Sequence, residues 1–61
     1  MKFKRYDAVF YKRNEKDELV SLGSQEIFCF ENDKMSRIAK AFLHAQGSQK
    51  DAIAIEFVEI R

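Results

Sequence analysis

Proline and tryptophan are absent from these 61 residues, and cysteine and histidine occur once each, at Cys29 and His44. Each absence excludes something. A lone cysteine cannot close an internal disulfide. One cysteine and one histidine cannot supply the clustered ligands of a structural zinc site. Without proline no slow prolyl isomerisation is expected during folding. The two glycines, Gly23 and Gly47, stand too far apart to form a phosphate-cradling loop. No apolar run approaches the length of a membrane span. The opening Met1-Lys2-Phe3-Lys4-Arg5 leads into no apolar h-region, so no signal peptide is expected. The formal net charge of +1 sets up no global basic field that would recruit nucleic acid. The single thiol suits a reducing interior, which makes the cytoplasm the expected location.

What remains is apolar. Hydrophobic residues make up 46% and aromatics 13%, a composition that folds. One domain of this size buries only about 60% of its unfolded surface. Lacking a disulfide or a metal, it needs a partner or a second copy to add stability. The chain is organised around a first strand, Arg5 to Arg13. Tyr6, Ala8 and Phe10 share one side of it, and Val9 and Tyr11 the other. Apolar residues on both sides mark a central strand with neighbours at each edge. The polar cluster Asn14-Glu15-Lys16-Asp17 is rich in turn formers and predicts a hairpin to a second strand, Glu18 to Phe30. Gly23 interrupts that strand. A one-residue bulge there puts Val20, Leu22, Ile27 and Cys29 on one face; the rival register, without a bulge, groups Phe28 and Phe30 with Val20 and Leu22.

Asn32 or Asp33 caps a helix predicted over Asp33 to Gln46. Met35, Ile38, Ala39, Phe42 and Leu43 recur at helical spacing and form the stripe expected to cover the sheet. His44 falls in the last turn, where a cation suits the helix dipole. Gly47 is the expected left-handed C-cap. A last strand, Asp51 to Arg61, carries Ile53, Ile55 and Phe57 on one face and Ala54, Glu56, Val58 and Ile60 on the other. The predicted fold is α+β, strand-strand-helix-strand. It has a three-stranded sheet in spatial order 2-1-3, a right-handed crossover and one helix on one face.

Charge is segregated along the chain. Residues 1–16 carry a formal +4, 17–33 carry −5 with no base, and 34–50 carry +4 with no acid. Cross-strand pairing of a basic first strand with acidic neighbours is the simpler account. A polarised surface that reads a charged partner is the sharper one. No constellation of catalytic residues emerges. His44 lacks a partner to make it a general base. Cys29 sits between aromatics on a strand, the setting of an inert core thiol. The serines lack a nucleophile-elbow context. The carboxylates at Glu31 and Asp33 suit helix capping better than hydrolysis. One helix on a small sheet encloses little substrate volume. The expectation is a non-enzyme without cofactor or metal.

The strand-strand-helix-strand order resembles that of many small accessory proteins of phages and other mobile elements, including inhibitors of host defence. The likeness is one of architecture, with no motif behind it. It implies stoichiometric binding to a larger protein, in the host cytoplasm if the chain is phage-encoded. A protein partner is therefore expected, and no membrane. The interaction surface is predicted on the uncovered sheet face, at Val9, Tyr11, Arg13, Glu56, Val58 and Ile60. That apolar patch also predicts a homodimer. The alternative is nucleic-acid binding through the basic and aromatic first strand, at Lys2, Lys4, Arg5, Tyr11, Lys12 and Arg13.

Overall fold

The central strand predicted from its two-sided apolar pattern lies between the other two. In the computed structural model, which describes residues 2–30 and 33–61, three strands form one sheet in the order β2-β1-β3. They are β1 (Phe3–Arg13), β2 (Leu19–Phe30) and β3 (Ala54–Ile60), and both ladders are antiparallel. β1 starts two residues earlier than expected, because Phe3 and Lys4 still find partners in Phe30 and Cys29. The Phe3 and Phe30 rings stack at 4.6 Å and close that end of the hairpin.

At the other end, Asn14 shapes the turn. Its Oδ1 accepts from the amides of Lys16 and Glu18, both at 2.9 Å, while Asp17 adopts a positive φ of 61°. The register shifts between Phe10 and Tyr11, whose partners are Gly23 and Ser21. Leu22 is the extra residue, so the bulge lies where the sequence suggested. Gly23 adopts a φ of 108°. Ile27 and Cys29 are buried, Leu22 packs against them, and Phe28 points to the opposite side and is exposed. The register without a bulge is therefore not adopted.

The helix α1 (Lys34–His44) begins on Asp33, whose Oδ1 accepts from the Ser36 amide at 3.0 Å. Glu31 and Asn32 lie outside the described residues. Two expectations fail here. α1 ends two residues early, capped at Ala45 with an extended conformation. Gly47 instead opens a 3₁₀ turn, η1 (Gly47–Asp51), with a φ of 54°. That turn fills the expected link and takes in Asp51, so β3 begins at Ala54 and not at Asp51. It is held by Gln49, whose Oε1 accepts from the Gln46 amide at 3.3 Å and from the Gln25 side chain at 3.0 Å.

The larger correction concerns which face of α1 meets the sheet. Ala41 and Ala45 are buried, with Arg37 and Ile38 half-buried, whereas Met35, Phe42 and Leu43 are exposed. The reason is volume. The sheet supplies large side chains to this core, Tyr6, Phe10 and Ile27, with Leu22, Ile55 and Phe57 beside them. A helix surface of alanines fits against them without overpacking. Arg37 adds an attraction that apolar periodicity does not register. Its guanidinium lies 5.0 Å from the centroid of the Tyr6 ring and 5.9 Å from that of Phe57. α1 consequently packs mainly on β2 and barely reaches β3.

Candidate interaction surfaces

Two apolar surfaces remain, one on each side of the sheet. The first is the uncovered sheet face. β1 residues of odd number alternate onto it, and pairing brings Arg5 beside Ile60, Asp7 beside Val58, Val9 beside Glu56 and Tyr11 beside Ala54. Val9, Tyr11, Glu56, Val58 and Ile60 therefore share one face. Arg13 has the same parity but lies past the end of the β3 ladder. Its guanidinium is engaged locally, donating to the Asp17 carbonyl at 2.9 Å and lying 3.4 Å from the Asp17 carboxylate. Asp7 and Glu26, outside the interaction surface expected from the sequence, stand opposite each other across β1 and β2 on this same face. Alternation alone would have found Asp7. Arg5 reaches the Glu26 carboxylate at 3.3 Å. The face is thus apolar at Val9, Phe28, Val58 and Ile60, with carboxylates set among these side chains.

The second surface follows from the orientation of α1. Because α1 packs mainly on β2, a groove of about 230 Å³ opens between α1 and β3. Ile38 and Phe42 form its helix wall, Ile55 and Phe57 its strand wall, and Ala52 and Ile53 its end. Lys34 stands at its rim. Ile53, expected in the core, is 63% exposed here, and Met35 and Leu43 extend the apolar surface over the top of the helix at 72% and 81%. The sequence placed Met35 and Leu43 on the apolar stripe of the helix and Ile53 on a face of the last strand, and assigned all three to the core.

The residues named for nucleic-acid binding are dispersed. Lys4 points to the helix side of the sheet and pairs with Glu59 at 2.7 Å, while Arg5 pairs with Glu26 and Arg13 with Asp17. Lys2 and Lys12 are exposed, and Tyr11 is half-buried on the open face. The Lys4 ammonium, as a hydrogen-bond donor first, holds Glu59 below the ordinary glutamate value.

The single thiol is buried, at 1% exposure. Desolvation raises its pKa, against smaller opposing effects from Arg37 and Lys40. The thiolate that a nucleophile needs is thereby disfavoured. His44 is exposed at the helix end. Among the described residues no three His, Cys, Asp or Glu side chains gather to hold a metal. Nor is any helix among them long and apolar enough to cross a membrane. No family model, curated protein or solved structure matches this chain.

Proposed function

We propose that this chain is a small non-enzymatic protein-binding module. It acts by stoichiometric attachment to a larger protein, in the manner of phage and mobile-element accessory or inhibitor proteins. The observation that carries this reading is the amount of apolar side chain left outside the core. Met35, Phe42, Leu43 and Ile53 lie on the helix side, and Phe28 and Val58 on the other, all at least 48% exposed. Single exposed apolar residues need no explanation; contiguous groups on a domain this small do. The groove is smaller than the roughly 300–1,000 Å³ of ordinary small-molecule sites, which favours a macromolecular contact over a substrate.

Affinity capture from the native host, with salt varied, tests the proposal. A protein retained in moderate salt supports it. Recovery of nucleic acid alone, released as salt rises, would assign the chain to the alternative, because phosphate contacts fade steeply with ionic strength. That alternative is disfavoured by the ion pairs that engage Lys4, Arg5 and Arg13.

A homodimer through the open sheet face is a second reading. Val9, Tyr11, Phe28, Val58 and Ile60 on one face support it, and a two-fold axis would let the patch meet itself. Asp7 and Glu56 on the same face oppose it, since that axis brings carboxylates toward carboxylates, while Glu26 is paired with Arg5.

A further inference from the structure

β3 is an edge strand whose outward backbone groups have no partner strand among the described residues. Natural edges are commonly blunted by proline, lysine, a bulge or a covering element. β3 has no proline, lysine or bulge, and α1 leaves it uncovered; its two charges are Glu56, on the open face, and Glu59, already held by Lys4. The opposite edge is different: β2 is bulged at Gly23, covered by α1, and tied through Gln25 to η1. The groove is therefore walled by apolar side chains of α1 and β3, and it lies beside the free edge of β3. A helix laid in it would leave the strand edge wet; an extended segment would satisfy those groups and send alternate side chains against Ile38, Phe42, Ile55 and Phe57.

Charge narrows the occupant further. Lys34 stands at the rim of the groove, and no described carboxylate lies within ion-pair distance of it. Resting on the reading of this chain as a protein-binding module, we propose that β3 and α1 together accept an extended segment of the partner protein. That segment adds as a fourth strand along Ala54–Ile60, with apolar residues at alternate positions and a carboxylate placed to meet Lys34. A flat bilayer surface does not enter a concave groove, and it offers no backbone groups to a strand edge.

Selection of random octapeptides against the immobilised 61-residue chain tests this, followed by amide NMR with the enriched peptide. The expected consensus alternates apolar residues and carries one Asp or Glu. Its binding should shift the amides of Ile38, Phe42 and Ile55 and slow hydrogen exchange along β3. Phe42→Ser, at an exposed position that folding should tolerate, should weaken binding at least tenfold. Selection against Lys34→Glu should exchange the acidic position for a basic one. Failure to enrich any peptide, a consensus without charge preference, or shifts confined to Val9, Tyr11 and Val58 would overturn the inference. Phe42-dependent binding to anionic vesicles, or a dimer that Phe42→Ser dissociates, would overturn it too, by giving the groove another occupant. If Phe42→Ser and Lys34→Glu still capture the host protein, the inference fails while the module reading stands; if the wild type captures none, the module reading itself fails.

Discussion

Gly23 is the residue on which the local geometry depends most directly. Its φ of 108° is one that L side chains rarely adopt, and a Cβ placed there would lie 2.9 Å from Nε2 of Gln49. Gly23→Ala should therefore cost about 1–3 kcal/mol through backbone strain alone. Gln49 can relieve the crowding only by giving up its hydrogen bonds from Gln46 and Gln25, and the strain stays in any case. A Gly23→Ala, Gln49→Ala double variant that regained full stability in urea melts would show that crowding rather than φ sets the requirement. Glu59 supports a prediction of opposite character. Its folded-state pKa is depressed, first by the hydrogen bond from Lys4. A depressed carboxylate contributes stability above its unfolded pKa and loses it as pH falls through the folded value. Acid titration of stability should thus show a small loss below the ordinary glutamate range that Glu59→Gln lacks. The effect is small because the pair is solvent-screened. A Glu59→Gln variant with an unchanged acid limb would mean that the ion pair does not persist in solution.

At the scale of elements, α1 divides what periodicity can and cannot say. The hairpin, the bulge, the Asp33 cap and the strand order were legible because each has a local cause: turn residues, one glycine, one side-chain oxygen, apolar residues on both sides of one strand. The apolar stripe was legible too, but its destination was not. Helical spacing identifies a face; whether that face meets the sheet depends on what the sheet already presents. Here the sheet presents two large aromatic rings, Tyr6 and Phe10, so alanine at 41 and 45 fits and the stripe turns outward. Ile53 is out of the core for a different reason: the 3₁₀ turn delays β3 to Ala54 and leaves Ile53 ahead of the strand, and with the turned helix this made the groove invisible in the sequence. Asp7 is hidden for another reason: it is a carboxylate in phase with the apolar residues that mark this face, and the apolar pattern by itself does not register it. Substitution separates the two orientations of α1. Ala41→Leu should destabilise by about 1–3 kcal/mol, as overpacking does. Leu43→Lys, at an 81% exposed position, should stay within about 0.5 kcal/mol of wild type. Thermal or urea melts giving the reverse order would restore the stripe to the core.

At the scale of the whole molecule, self-association through the open sheet face has a salt dependence of its own. The extents of 42 × 18 × 18 Å describe an elongated body in which little of the sheet is far from solvent. Joining two open faces would bury Val9, Phe28, Val58 and Ile60 and bring two sets of Asp7 and Glu56 together, Glu26 being paired with Arg5. Apolar burial favours that contact and like charge opposes it. Salt screens the second far more than the first, with a Debye length of about 10 Å at 0.1 M. If this dimer forms, its dissociation constant should fall as salt rises, opposite in sign to nucleic-acid binding. The choice of variant follows from the register. Val58 stands directly beside Asp7, so a lysine at 58 would find a counter-ion and leave the contact intact. Val58→Asp instead places a third carboxylate beside Asp7 and Glu56. It should abolish the dimer at every salt concentration, and Asp7→Asn should strengthen it. Light scattering during gel filtration at about 100 µM, above the dissociation constants of stable dimers, reads all three. A sharp monomer in both low and high salt would free this face for a different protein. A dimer unmoved by Val58→Asp would transfer the contact to the β3 edge.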